Sequence, residues 1–201
     1  DYCLRLDEET GTALARFTTS FNTTAAVVFY CAWGLLLQKF NNSDDVLFGT
    51  TVSGRSAKIA GIADMVGLFI NTLPLRVHSH PAQRITDLLQ NLTETMLARE
   101  AYEHTPLPGL NRFSRANSAA YPFDSIVVVE NYPLDLQSLQ KSSPLTISSY
   151  WLREAPHYAL TVVIEMLDLI GIRFSYPQGV LTEEFIQRLG AHFLRMIRAV
   201  L

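Results

Sequence analysis

The side chains that could do acid–base or metal chemistry are few in this sequence and poorly grouped. Two of its five histidines, His78 and His80, alternate on a predicted strand and share one face, but Pro81 follows directly and no third metal ligand is near. His104 lies at a predicted helix end, where a cation interacts favourably with the helix dipole. Ser53 has no neighbouring acid or base to activate it. The pattern therefore predicts no catalytic residue and no metal site.

A polar pair, Asn71 and Thr72, interrupts the otherwise apolar run 66–77. Burying an amide or a hydroxyl without a hydrogen-bond partner costs about 1–3 kcal/mol, so both side chains need partners. Two interpretations are open at this point. The pair either ends a strand and caps its backbone, or it lines a cavity.

Several function classes are disfavoured by composition and missing motifs. The sequence has no Gly-rich phosphate loop followed by Lys, no dinucleotide fingerprint, no paired-Cys motif and no Gly-x-Ser-x-Gly elbow. A net charge of −3 with scattered Lys and Arg argues against nucleic acid. Cys3 and Cys31 are too few for a disulfide framework. The longest apolar run, 25–37, is shorter than the roughly 18–20 residues of a membrane span, so we expect a soluble, cytoplasmic chain without a membrane or nucleic-acid partner.

The elements that must position these residues follow from periodicity and capping signals. Asp7 is a good helix cap, as is Thr23 or Thr24, and the helix that follows to Lys39 is apolar almost all round, which predicts a central core helix. Helices are predicted at 8–21, from 23 or 24 to 39, from 81 to about 104, and after 182. Strands are predicted near 4–6 and at 45–52, 73–77, 123–130, 145–152, 158–167 and 170–176.

This order predicts an α/β sandwich with a mixed sheet in a single unit. The last strands have short links between them, which is typical of antiparallel neighbours. The polar connection 135–144 is expected to project from the body.

Four segments, in this order and spacing, resemble the second half of a condensation domain of nonribosomal peptide synthetases. They are 44–55, 66–77, 102–107 and 123–133. The similarity runs from about residue 4 to residue 201. It implies one lobe of a two-lobed fold like that of chloramphenicol acetyltransferase, with a helix-backed, mixed, mainly antiparallel sheet and a substrate tunnel between the lobes.

The chain departs from the family at the catalytic motif. The His-His-x-x-x-Asp-Gly sequence belongs to the N-terminal lobe, and no two histidines are adjacent here. Residues 1–201 are therefore expected to form the C-terminal lobe without its N-terminal lobe, and to be inactive alone.

The resemblance also implies a reaction, partners and site residues. The family joins a donor acyl and an acceptor aminoacyl thioester, both tethered to phosphopantetheine arms of peptidyl carrier proteins, with an adjacent adenylation domain and no covalently bound cofactor. By resemblance, Asn71, Thr72 and Phe69 lie in a tunnel-facing loop, where Asn71 orients a pantetheine amide, an oxyanion or only the loop itself. Arg55 is expected at the lobe interface, as a partner for the Asp of the missing motif, or else as a solvated loop residue. The segment 135–143 is expected to reach toward the other lobe.

Two further functions stay open at this stage. The chain could be a module that docks carrier proteins or neighbouring domains without catalysis, or the lobe of a related epimerisation domain. The sequence Asn71-Thr72-Leu73-Pro74 favours condensation over epimerisation. A lobe separated from its partner should also expose an apolar face larger than the few hundred Å² usual for a monomer.

Overall fold

The computed structural model describes residues 1–55, 59–110, 123–130, 157–167 and 169–201. Within these ranges the strands are β1 (Tyr2–Arg5), β2 (Asp45–Val52), β3 (Asn71–His78), β4 (Ser125–Glu130), β5 (Leu160–Glu165) and β6 (Gly171–Ser175). The helices are α1 (Glu8–Ser20), α2 (Ala25–Asn41), α3 (Ile85–Arg99), α4 (Leu107–Leu110) and α5 (Glu183–Val200), with 3-10 turns at Ile62–Asp64 and Glu100–Tyr102.

Side-chain caps fix where three of these helices begin. Asp7 accepts a hydrogen bond from the Thr10 N–H at 2.7 Å, and Thr24 accepts one from the Val27 N–H at 3.3 Å. Thr182 caps α5 in the same way. Each cap satisfies a backbone donor that a helix start otherwise leaves unpaired. The predicted starts of α1, α2 and α5 are thereby confirmed.

Helix α2 is the central element of the core, as its all-round apolar surface predicts. Phe29, Trp33 and Val28 are fully buried, and α2 contacts α1, α3, α5, β2 and β3. Trp33 packs edge-on against Phe193 of α5 with ring centroids 5.3 Å apart. These neighbours cover the helix on several sides, which is why its sequence has no polar face.

The sheet runs in the order β1-β6-β5-β4-β2-β3 and is mixed, which confirms the predicted α/β class. β4 lies parallel to both β2 and β5, whereas β1–β6, β5–β6 and β2–β3 are antiparallel. The hairpin-like pairing of β5 with β6 is the antiparallel neighbour relation expected from their short link.

Helix α3 begins later in the chain than the sequence predicts. The helix predicted to open at Pro81 begins at Ile85 instead, because residues 80–83 first make a turn in which the Gln83 N–H donates to the His80 carbonyl at 2.9 Å. The predicted strand 145–152 and the connection 135–144 lie outside the described residues.

No single helix in the described ranges is both long and apolar enough to cross a membrane. Helices α1 and α2 meet that criterion only as a pair, and they are bent by 108° where they join.

Acid should weaken the contact between the two ends of the chain at Asp7. Hydrogen bonds from Thr10, helped by the Arg198 guanidinium, lower the pKa of Asp7 to about 2. Its stabilisation is therefore complete above the unfolded-state pKa of about 4 and is lost as the pH falls toward 2. We expect Asp7→Asn to be less stable than the wild type at pH 5 and the difference to shrink steadily on acidification, as measured by urea unfolding.

A matched control is Glu9→Gln, which removes an exposed acid from the same helical turn. Its difference from the wild type should change much less over that pH range. A constant offset for Asp7→Asn at every pH would contradict the role assigned to the carboxylate charge.

Candidate functional site

The polar pair lies where the carboxyl end of β2 meets the start of β3. Asn71 pairs with Val52, and Thr72 pairs with Thr51. The loop implied by the family resemblance is wrong for these two residues: they are the first members of a strand, as the strand-end interpretation had it, because their backbones complete the ladder with β2. Their side chains are half-buried.

The Asn71 amide ties this strand end to a distant segment of the chain. Its Nδ2 donates to the carbonyl oxygens of Glu103 at 2.9 Å and Thr105 at 2.8 Å. Its Oδ1 accepts from the Thr72 N–H at 2.9 Å. Both amide protons and the amide oxygen are thus engaged with backbone groups, so this polar side chain is fully accommodated.

The segment that Asn71 binds is itself anchored. Glu103 is buried, and Leu107, at the start of α4, packs in a small core with Phe123 and Ile126 beside β4. The Asn71 amide therefore connects the β2–β3 pair to the region around α4.

Arg55 organises the loop between β2 and β3. Its guanidinium donates to the Ile62 carbonyl and, at 2.9 Å, to the Met65 carbonyl. It also lies 4.3 Å from the centroid of the Phe69 ring, within cation–π range. Gly54, at φ 65°, places its backbone against the Phe69 carbonyl, which a β-carbon would approach to 2.0 Å. Arg55 and Phe69, both predicted from the sequence, are thus in direct contact with each other.

The same loop carries large apolar side chains into solvent. Val66 and Leu68 have relative exposures of 102% and 106%, and Ile70 has 71%. We call these three residues the apolar loop surface. Single apolar residues on a surface are ordinary, whereas these three lie within five residues of one loop that Arg55 holds through backbone carbonyls.

Arg99 is a site residue that the sequence did not single out. It is the last residue of α3, it is half-buried, and its guanidinium donates to the Thr50 hydroxyl. Thr50 is fully buried and donates in turn to the Leu73 carbonyl at 3.3 Å. At the end of a helix an Arg is commonly explained by the helix dipole, so the sequence offers no signal that separates Arg99 from a surface cation.

Burial shifts the titration of the groups nearest this cluster. Burial raises the pKa of Tyr30 to about 12 and lowers the pKa of Arg99, whose charge the Glu103 carboxylate helps to stabilise. Burial also raises the pKa of the Cys31 thiol to about 12, which keeps it unreactive. The pKa values of Tyr30 and Cys31 are therefore not suited to proton transfer near neutral pH.

The histidines do not assemble into a site. His78, His80 and His104 are all exposed, and across the described ranges no three His, Cys, Asp or Glu side chains are grouped to hold a metal ion. A cavity of about 860 Å³ lies at the other end of the β2–β3 pair, against Gln38 and Ser79. Asn71, Thr72, Phe69 and Arg55 do not line it.

The comparisons with known proteins agree on one family. The family model described as "Condensation domain" matches residues 1–201. Tyrocidine synthase 2 of Brevibacillus parabrevis is 36% identical over 192 residues, which cover 93% of this chain but 5% of that protein. Chondramide synthase cmdD of Chondromyces crocatus is 38% identical over 161 residues, which cover 80% of this chain and 4% of that protein.

Solved structures show the same fold over part of their length. The first condensation domain of the CDA synthetase matches with a TM-score of 0.79 and 19% identity, covering 99% of this chain and 43% of that one. The condensation domain from the Monacolin K polyketide synthase MokA matches with a TM-score of 0.78 and 15% identity, covering 98% of this chain and 46% of that one. The resemblance carried by the four sequence segments is confirmed, and this chain belongs to the condensation-domain family.

Proposed function

We propose that this chain is the C-terminal lobe of a two-lobed condensation domain and that it forms amide bonds only together with the complementary lobe. The observation that carries the proposal is the family match over the whole chain combined with coverage of only 43% of a solved condensation domain. The absence of adjacent histidines from the sequence supports the same division, since the family's His-His-x-x-x-Asp-Gly motif must then come from the other lobe.

The reaction proposed for the assembled domain is aminolysis of a thioester. The amine nitrogen of the acceptor attacks the carbonyl carbon of the donor; the C–N bond forms, the C–S bond breaks, and the amine proton ends on the released phosphopantetheine thiol. A thioester is already activated, so alignment of the two reactants supplies much of the rate, with effective molarities of about 10⁵–10⁸ M in well-oriented cases. Carrier proteins would present both reactants, and an adenylation domain would load them.

The part proposed for this lobe is to form a wall of the tunnel, with Asn71, Thr72 and Phe69 along it. The contacts of Asn71 support a positioning role over an oxyanion role. An oxyanion donor needs an N–H aimed at the developing charge, whereas both Asn71 amide protons donate to backbone carbonyls. Asn71 would then act by holding the segment 103–105 in place.

The apolar loop surface is assigned to contact with the N-terminal lobe. Val66, Leu68 and Ile70 are exposed in the chain by itself, while Arg55 holds the loop that carries them through two backbone carbonyls. Burying such side chains would contribute about 25 cal/mol per Å² of apolar surface. Pairing of Arg55 with the Asp of the missing motif stays a prediction, to be tested by exchanging the two charges.

The test of the proposed function begins with the coding sequence that precedes Asp1, which should encode the His-His-x-x-x-Asp-Gly lobe. The two lobes are produced separately and together, and supplied with aminoacyl pantetheine thioesters; dipeptide product is measured by mass spectrometry. We expect product only from the pair. Tight binding of carrier proteins by this chain, with no product from the pair, would instead support the docking module.

Assembly of the two lobes should depend on the apolar loop surface. The double variant Val66→Ser/Leu68→Ser should weaken binding of the other lobe by at least tenfold in sedimentation or calorimetry, because it removes exposed apolar area that the complex buries. The stability of the isolated chain should barely change. Val180→Ser, at an apolar residue with 62% exposure elsewhere on the surface, is the control, and equal binding by both variants would refute the assignment.

A further inference from the structure

Two polar ties hold the end of α3 and the segment after it against the β2–β3 pair. The first is the Asn71 amide, which binds the backbone at Glu103 and Thr105. The second is the hydrogen bond from Arg99 to the Thr50 hydroxyl. Arg99 lies four residues before Glu103 in the chain. Both ties join the segment 99–105 to the same pair of strands, because Thr50 lies on β2 and Asn71 lies on β3.

The Thr50 hydroxyl makes this second tie unusually constrained. Thr50 is fully buried, and its Oγ1 accepts from Arg99 while donating to Leu73. A hydroxyl has one proton, and Thr50 donates it to the Leu73 carbonyl. The lone pairs of the hydroxyl oxygen are then left to accept from the guanidinium. The geometry thus fixes the direction of both bonds.

The charge of Arg99 is also placed in a low-dielectric setting. The side chain is half-buried; burial disfavours its charge, and the Glu103 carboxylate favours it. Burying a guanidinium charge by itself costs free energy. We therefore expect Arg99 to stabilise this region through its directed hydrogen bonds rather than through its charge.

We infer that Arg99 is a positioning residue, which fixes the segment 100–107 against β2 and β3 through the Thr50 hydroxyl and so acts together with the Asn71 amide. The inference rests on the proposed function for its catalytic consequence, because a tunnel wall that shifts would misalign the acceptor and donor. Its structural consequence does not depend on that function.

The first experiment uses this chain alone and measures amide hydrogen exchange in Arg99→Met, which keeps side-chain length but removes the donors. We expect exchange in residues 100–107 to be at least tenfold faster than in the wild type, with β5 and α5 unchanged. Arg84→Met, at the exposed start of the same helix, should leave that segment unaffected. Unchanged exchange in Arg99→Met would overturn the inference.

The second experiment uses the two-lobe protein and separates kcat from KM. Arg99→Met should lower kcat about tenfold with KM within twofold, and Arg99→Lys, which restores one donor and the charge, should recover part of the loss. Thr50→Val should have the effect of Arg99→Met, and the two together should cost no more than either one. Additive losses, or no recovery with Lys, would count against the shared contact.

The two failures are distinguishable. If the wild-type lobes give no product, the proposed function fails, while the exchange experiment on the single chain still decides the role of Arg99. If product forms and Arg99→Met changes neither exchange nor kcat, only the inference about Arg99 fails.

Discussion

Asn71→Asp should destabilise the chain by roughly 2–4 kcal/mol at neutral pH, more than Asn71→Ala, which should cost about 1–3 kcal/mol. The two substitutions differ in what they present to the Glu103 and Thr105 carbonyl oxygens. Ala leaves these acceptors without their donor. Asp places an anion against them in addition, although it is nearly the same size as Asn.

The pH dependence of the two variants should also differ. The carbonyl oxygens would disfavour the ionised carboxyl in the folded state and raise its pKa above the unfolded value of about 4. A raised carboxyl pKa costs stability at high pH, and the cost falls as the carboxyl is protonated in the folded chain. The deficit of Asn71→Asp should therefore shrink as the pH is lowered from 7 to 4, whereas the deficit of Asn71→Ala relative to the wild type should stay constant.

Urea unfolding of both variants at several pH values measures these effects. Asn91→Asp is the matched control, because Asn91 is an exposed residue in the middle of α3, and its effect should be within about 0.5 kcal/mol. Equal losses for Asn71→Asp and Asn71→Ala at every pH would show that the amide protons do not hold the segment.

Gly54→Ala is the second substitution with a large expected effect, about 2–5 kcal/mol. Two causes add. An L-residue at φ 65° costs about 1–2 kcal/mol relative to the right-handed region, and a β-carbon 2.0 Å from the Phe69 carbonyl oxygen forces a backbone shift of the overpacking kind, costing about 1–3 kcal/mol. The loop that carries Arg55 and Phe69 should be displaced.

The chain supplies its own control for this substitution at Gly61. Gly61 has φ 75° and nothing within 4 Å of a β-carbon, so Gly61→Ala should pay only the conformational cost of about 1–2 kcal/mol. The difference between the two variants in urea unfolding isolates the contact with Phe69. Equal destabilisation would mean that the loop adjusts around Gly54 without cost, against the braced loop described above.

Much of the fold followed from local patterns. Asp7 and Thr182 begin their helices as their residue types predict, and the strand 45–52 has the predicted bounds because its apolar and β-branched residues are bounded by Asn-Ser and Gly-Arg signals. Helix α2 was predicted to be central because it has no polar face. These predictions succeed because capping and periodicity depend on residues a few positions apart.

The membership of the family was also contained in the sequence, in four segments whose order and spacing are specific together. The contacts that those segments make with one another could not be predicted from the sequence. The sequence marked Asn71 as a polar residue that needed partners and left a strand end or a cavity lining open, while the family resemblance implied a loop. The ladder with Val52 that makes Asn71 a strand residue depends on a segment 19 positions earlier.

Only the tertiary structure determined the hydrogen-bond partners of Asn71 and Arg99. Asn71 binds carbonyls 32 and 34 residues away, and Arg99 binds a hydroxyl 49 residues away. Backbone carbonyls leave no trace in residue type, and an Arg at a helix end looks the same whether it faces solvent or a buried threonine. The sequence by itself determined the class, the helix starts and the family of this chain, while only the folded topology, which brings distant segments to one strand end, determined that its most unusual polar residue is a structural tie.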